Sequence, residues 1–177
     1  MNLFIDTSNK YIILSLFEDE IVDCEVKETN KNQSEIFMTL LNDFLVRNKL
    51  SLKEITKIYF SAGPGSFTGI RVGLSIAKAL QVSGYNNVYT LHSLETLIAD
   101  YQNDRAIIDA RGGKYYYQEV KDGIFLEPEL ILESEIEFAN VKTYDSEVNN
   151  IAKNIINLVK NKRFKQEIAS VYIKDAF

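Results

Sequence analysis

The residues most able to bind a ligand lie in one glycine-rich stretch, residues 63–73, which reads GPGSFTGIRVG. A predicted strand, residues 58–62, leads into it, and a helix of small residues follows. The first N–H groups of a helix have no intrahelical partner, so the backbone around Ser66, Thr68 and Gly69 could bind an anion. The stretch is not a Walker loop, because Ile and Arg follow its third glycine where Lys and Ser or Thr are required. The dinucleotide pattern G-x-G-x-x-G is absent too.

The same stretch supplies a smooth helix face. Gly69, Gly73 and Ala77 recur at every fourth position and therefore share one side of the helix predicted from this stretch. Without large side chains, that side lets another helix or strand approach closely. The residues alone therefore favour packing over ligand binding.

Two aspartates, Asp6 and Asp109, lie where predicted strands end. A carboxylate at that position of an α/β sheet can contact a phosphate or a metal. The simpler interpretation is that it accepts a hydrogen bond from the following turn. Residues 107–115 repeat the order found in residues 4–11, which is a strand, an acid, a turn and a second strand led by Lys-Tyr. This repeat predicts a chain of two related halves.

Hydrophobic periodicity predicts the other elements. A helix over residues 34–47 carries a broad apolar stripe that we interpret mainly as core, and Met38 and Val46 widen this stripe enough to meet a partner helix. Ser34 and Ser93 are the predicted N-caps of this helix and of a later one. The remaining predicted elements are strands at 3–6, 11–17, 21–27, 88–91 and 170–173, and helices at 93–101 and 148–159.

Composition argues against several classes of function. The net charge is −5, whereas unaided binding to a nucleic-acid backbone needs a basic surface. One cysteine, Cys24, and one histidine, His92, argue against a disulfide framework and a Cys/His metal site. No apolar run approaches the ~20 residues of a membrane span, so we expect a cytoplasmic protein with no membrane partner. We interpret the basic residues within 160–165 as the solvated end of the last helix rather than an RNA contact.

Residues 63–73 closely resemble the signature of the TsaB (YeaZ) family. The resemblance covers residues 1–120 and includes the segments 3–8, 93–95 and 109–116. It implies an α/β, actin-like fold of two duplicated, ribonuclease-H-like halves. The expected halves are residues 1–102, with the glycine-rich motif and the partner helices, and residues 103–177, which form a shortened C-terminal half.

The resemblance also implies a function. Members of the family are noncatalytic partner subunits that bind and activate TsaD, the paralogue that forms N6-threonylcarbamoyladenosine at position 37 of tRNAs reading codons that begin with A. TsaD binds a metal through a His-x-x-x-His pair, which a chain with the single histidine His92 cannot supply. We therefore expect no catalytic residue, no metal and no required cofactor in this chain, and ATP or ADP only at the complex interface. The expected partners are TsaD, the ATPase TsaE, tRNA through the complex, and a second copy of the chain when TsaD is absent.

The resemblance places the partner surface on the first two helices, residues 34–47 and 70–83. Family members commonly have a histidine where this chain has Gln33, so no role of that imidazole is transferred. The expected contact residues are Ile36, Phe37, Leu40, Leu41, Phe44, Gly69, Ile70, Gly73, Leu74 and Ala77.

An alternative function is an actin-like enzyme that binds a nucleotide or hydrolyses phosphate. In that interpretation Asp6 and Asp109 flank the cleft between the halves, and the phosphate binds at Ser66, Thr68 and Gly69. Turnover of a nucleotide by the chain alone would distinguish this enzyme from the partner subunit.

Overall fold

The N-terminal part of the chain forms a five-stranded sheet. Its strands are β1 (Asn2–Asp6), β2 (Tyr11–Phe17), β3 (Ile21–Glu28), β4 (Lys57–Ser61) and β5 (Val88–Leu91). In the computed structural model, which describes residues 1–30, 32–98 and 101–173, their order is β3-β2-β1-β4-β5. The first three strands are antiparallel, and β4 and β5 run parallel to β1.

Three helices cover this sheet, α1 (Gln33–Arg47), α2 (Phe67–Val82) and α3 (Ser93–Leu97). Leu3 and Ile5 of β1 pack with the apolar side chains of α1 and α2, whereas Phe4 belongs to the core on the opposite face, with α3. Leu3, Phe4 and Ile5 are each at most 1% exposed. Because β1 is central and covered on both faces, its sequence is a continuous apolar run rather than an alternation.

The second sheet is a smaller antiparallel meander. Its strands are β6 (Asn103–Arg111), β7 (Lys114–Lys121), β8 (Ile124–Phe125) and β9 (Glu129–Leu132), and β7 pairs with the other three. In the first sheet β4 lies beside β1, but at the corresponding edge of β6 a single parallel bridge joins Ala106 to Lys142. Among the described residues the second sheet therefore keeps the meander of the first without its two parallel strands.

Two further helices, α4 (Tyr144–Glu147) and α5 (Ile151–Lys160), follow the second sheet. Ile151 and Ile155 of α5 are fully buried in the core shared with β1 and α3. The chain then returns to the first sheet, where Thr90 and Lys165 exchange two backbone hydrogen bonds of 2.8 and 2.9 Å. No helix within the described ranges combines the length and the apolar character that crossing a membrane requires.

Several predicted element ends are wrong. α1 begins at Gln33 after Asn32 rather than being capped by Ser34, and His92 rather than Ser93 precedes α3. α3 stops at Leu97 because Ile98 is extended, so the helix predicted to residue 101 is too long, and residues 99 and 100 lie outside the described residues. α2 begins three residues before the predicted helix, the 148–159 helix starts only at residue 151, and residues 170–173 form no strand.

The interpretation of the basic residues near 160–165 also needs correction at Arg163. Its guanidinium forms an ion pair with the carboxylate of Glu95, whose side chain is only 9% exposed, and lies 3.8 Å from the ring centroid of Phe125. Arg163 therefore connects α3 to β8 and is not a free cation at a solvated helix end.

Candidate functional site

The glycine-rich stretch is built around the chain's own β1–β2 turn, residues 6–9. A Cβ atom on Gly65 would overlap the carbonyl oxygen of Ser8, and one on Gly69 would overlap the carbonyl oxygen of Thr7. The close approach is used for hydrogen bonds: the Ser66 N–H donates to Ser8 O at 2.6 Å, and Thr7 Oγ1 donates to Gly69 O at 2.7 Å. The motif needs glycine because a backbone turn lies directly against it.

The small-residue face therefore packs inside the chain. Gly69 and Gly73 contact the β1–β2 turn, and a Cβ on Gly73 would lie 2.9 Å from Thr7 Oγ1. Ala77 is fully buried in the core under the first sheet. The sequence indicated close packing at this face correctly, but the packed element is a turn of the same chain.

The ten expected contact residues lie on inward or lateral sides of the two helices. Ile70 and Leu74 pack with Ala62 against the C-terminal segment, and Ile36 and Leu40 are half-buried. None of the ten is exposed, and the eight buried ones are Phe37, Leu41, Phe44, Gly69, Ile70, Gly73, Leu74 and Ala77. In the chain by itself these ten residues therefore offer little exposed surface.

The exposed sides of α1 and α2 form an open groove of about 490 Å³, which we call the outer groove. Met38 of α1 and Phe67 of α2 are 59% and 58% exposed in it. The guanidinium of Arg71 lies 4.3 Å from the Phe67 ring centroid, a distance typical of a cation–π contact. The outer groove is lined by Ser34, Phe37, Met38, Phe67, Thr68, Arg71, Val72, Ser75 and Ile76.

Asp6 is completely enclosed. Its Oδ1 accepts the N–H of Ser8 at 2.6 Å and its Oδ2 accepts the hydroxyl of Tyr144 at 2.8 Å. Ser8 Oγ lies 3.0 Å from Tyr144 Oη, and the hydroxyls of Ser61 and Ser93 complete the network. Burial raises the pKa of the Asp6 carboxyl above its usual value, against the lowering effect of its hydrogen bonds with Ser8 and Tyr144.

A second concavity, a cleft of about 840 Å³, lies between the two sheets. Three of the five residues expected to bind a nucleotide or anion line it, namely Ser66, Thr68 and Asp109, whereas Asp6 and Gly69 lie beneath its surface. Lys10 and Asp145 also line the cleft and form an ion pair of 2.7 Å. Of the two expected aspartates, only Asp109 is exposed in this cleft.

Gln33 also lines this cleft. Its side chain is 7% exposed and its Nε2 donates to the carbonyl oxygen of Asn9 at 3.0 Å. The side chain at the position of the family's usual histidine therefore connects the start of α1 to the β1–β2 turn.

Both ring nitrogens of His92 are buried, and neither has a hydrogen-bond partner among the described residues. It lies before α3, and burial together with the nearby charges of Lys165 and Arg163 lowers its pKa to about 4. Within the parts of the chain that the structure describes, no group of three or more His, Cys, Asp or Glu side chains could hold a metal ion.

Sequence reasoning missed Tyr144. The phenol lies 138 residues from Asp6 in the chain, and nothing in the local pattern around residue 144 distinguishes it from a core tyrosine. The signal that could have found it is the polar cluster at the end of β1, because a buried carboxyl requires donors.

Comparison with known proteins identifies the family. Residues 27–167 match the family model described as "TsaD: tRNA N6-adenosine threonylcarbamoyltransferase". The tRNA threonylcarbamoyladenosine biosynthesis protein TsaB of Bacillus subtilis is 34% identical over 119 residues, which cover 64% of this chain and 52% of that protein. The TsaB protein of Escherichia coli is 29% identical over 76% of this chain and 63% of its own length. The chain belongs to the TsaB (YeaZ) family.

The similarity to these TsaB proteins therefore extends beyond the glycine-rich motif. This chain spans less than two thirds of the length of either relative. Two solved structures from Pseudomonas aeruginosa share its fold. One is described as having similarity to peptidase YeaZ, with a TM-score of 0.75 and 15% identity over 98% of this chain and 100% of its own. The other is YeaZ itself, with a TM-score of 0.73 at the same identity and coverage. The predicted family and the α/β, actin-like fold class are confirmed.

Proposed function

We propose that this chain is a noncatalytic partner subunit that binds and activates a TsaD-type transferase in the formation of tRNA threonylcarbamoyladenosine. The observation that carries the proposal is the outer groove of α1 and α2. TsaB relatives are named for this biosynthesis, and the family model that matches the chain is named for the transferase.

The outer groove has the composition of an interface centre. Met, aromatic residues and Arg are enriched in protein interfaces, and Met38, Phe67 and Arg71 lie together here. Burying the exposed side chains of Met38 and Phe67 would be favourable in free energy. A pair of partner helices packed on the groove would bury them. Both side chains lie on long helices whose opposite sides are buried, so the surface is rigid before a partner binds.

The enclosed Asp6 supports a noncatalytic role. The alternative nucleotide enzyme uses Asp6 and Asp109 on either side of the cleft, yet Asp6 makes its hydrogen bonds to Ser8 and Tyr144 and has no exposed surface. We propose that the chain alone turns over no nucleotide, requires no cofactor, and meets ATP or ADP only at the interface with TsaD.

The remaining partners follow from the same surface and charge. We propose that a second copy of the chain occupies the outer groove when TsaD is absent. The net charge of −5 supports tRNA contact only through the complex, in which the ATPase TsaE also takes part.

The test combines association with reconstitution of tRNA modification. Met38→Glu and Phe67→Glu each place a charge in the outer groove, and we expect them to weaken binding to the TsaD of the same organism at least about tenfold, as for central interface residues, and to reduce modification in parallel. Val82→Glu is the matched control, because Val82 of α2 is 90% exposed and lies outside the groove lining. Wild-type affinity in both groove variants would refute the proposed surface.

A further inference from the structure

The two helices of the outer groove both begin on the β1–β2 turn. Ser8 O accepts the N–H of Ser66 at 2.6 Å, next to the first residue of α2. Asn9 O accepts the side-chain Nε2 of Gln33, the first residue of α1, at 3.0 Å. The position of this turn therefore determines how the starts of α1 and α2 lie relative to each other.

A side chain that follows the second sheet in the chain forms hydrogen bonds with two residues of this turn. Tyr144 is the first residue of α4 and is 7% exposed. Its hydroxyl donates to Asp6 Oδ2 at 2.8 Å and lies 3.0 Å from Ser8 Oγ. A phenol has one hydrogen, so with that hydrogen on Asp6 the Ser8 hydroxyl donates to Tyr144 Oη.

We propose that Tyr144 is a positioning residue that sets the geometry of the outer groove through the β1–β2 turn. The connection runs from the Tyr144 hydroxyl to Asp6 and Ser8, and from their turn to the starts of both helices. The role assigned to the groove rests on the proposed function, whereas the effect of Tyr144 on the turn does not depend on it.

The start of α2 packs tightly against the β1–β2 turn. The carbonyl oxygen of Thr7 lies so close to Gly69 that even a methyl group would overlap it, and Thr7 Oγ1 also donates to Gly69 O. A displacement of the turn therefore moves the first turn of α2 with it. Removing the phenol hydroxyl leaves a buried carboxyl oxygen without this donor, and the turn relieves that cost by shifting or by admitting water.

Tyr144→Phe tests the proposal because it removes the hydroxyl and keeps the ring. The matched control is Tyr11→Phe, whose hydroxyl donates to Asp145 Oδ1 at 2.7 Å at an exposed site beside the same turn. Amide hydrogen exchange is measured at Ser66, at Leu74 in the middle of α2 and at Ile155 in α5. We expect Tyr144→Phe to accelerate exchange of the Ser66 amide about tenfold, with smaller changes at Leu74 and Ile155, and Tyr11→Phe to leave all three near wild type.

The functional measurement is affinity for the TsaD of the same organism, at a temperature where every variant is fully folded. We expect about tenfold weaker binding for Tyr144→Phe, because a shifted turn displaces the starts of α1 and α2, and wild-type binding for Tyr11→Phe. Asp6→Asn is a second variant, because its neutral amide keeps an acceptor for the Ser8 N–H. With Asn at position 6, Tyr144→Phe should have less effect than in the wild type, since no carboxylate is left without a donor.

Two results overturn the inference. One is equal acceleration of exchange at all three amides in Tyr144→Phe, which would show a loss of global stability only. The other is unchanged exchange of the Ser66 amide in Tyr144→Phe. If the wild-type chain does not bind TsaD, the proposed function fails, and the exchange of Ser66 still decides whether Tyr144 positions the turn.

Discussion

The β1–β2 and β6–β7 turns share one hydrogen bond to an aspartate but lie in opposite surroundings. Ser8 N–H donates to Asp6 Oδ1 at 2.6 Å, and Arg111 N–H donates to Asp109 Oδ1 at the same distance. Asp6 is fully buried beneath Tyr144, whereas Asp109 is exposed at the cleft. The repeat in the sequence therefore specifies a turn, and the elements packed on that turn decide whether its carboxylate is available to a ligand.

The difference also explains where each turn tolerates a side chain. The first turn has α2 directly against it, whereas a Cβ atom on Gly112 in the second turn would meet no other atom within 4 Å. The first turn thus belongs to the core, and the second turn belongs to the surface.

Substituting the glycines should give the largest contrast. Gly69→Ala places a methyl group onto the Thr7 carbonyl, and we expect a loss of about 3 kcal/mol or more in the free energy of unfolding. Gly112→Ala meets open space and costs only the left-handed backbone conformation, φ +66°, about 1 kcal/mol. Urea denaturation measures both, and equal losses would contradict the assignment of the first turn to the core.

Removing the two carboxylates should give a smaller contrast. Asp6→Ala leaves the Ser8 N–H and the Tyr144 hydroxyl without their acceptor in a buried site, and we expect a loss of about 2 kcal/mol. Asp109→Ala removes an exposed turn bond, for which we expect less than about 1 kcal/mol. The same denaturation experiment decides, and a larger loss at Asp109 would reverse the comparison.

The smallest expected effect is a difference in pH dependence between Asp6 and Asp145, which lie on two sides of the first turn. Burial raises the pKa of Asp6 above its usual 3.8, so its contribution to stability is complete below that value and is lost as the pH rises through the folded-state pKa. Hydrogen bonds from Lys10 and Tyr11 lower the pKa of Asp145, so its contribution is present above 3.8 and is lost as the pH falls.

Asparagine variants separate these two contributions. Relative to wild type, Asp6→Asn should become more stable as the pH is raised from about 4 to about 8, and Asp145→Asn should become relatively more stable as the pH is lowered from about 5 toward about 2. Thermal unfolding across that range measures both slopes. A flat difference for Asp6→Asn would mean that its carboxyl keeps its ordinary pKa in the folded chain.

Much of the fold follows from patterns that are local in the sequence. The continuous apolar run around Phe4 identifies a central strand, and the spacing of Phe37, Leu41 and Phe44 identifies the inner side of α1. Element ends were less predictable, because α3 ends where Ile98 turns extended although no glycine or proline stops the helix there. Its end depends on packing against other parts of the chain.

The sequence by itself determined the family, the strand-turn-helix motif and the need for glycine where backbones meet. The tertiary structure decided which side of each helix is free, because a small-residue face has the same pattern whether it contacts a partner or the chain's own turn. It also decided the chemistry of Asp6, whose hydrogen-bond donor Tyr144 comes from 138 residues away. Local spacing determines local geometry, but exposure and pKa depend on contacts between residues far apart in the chain.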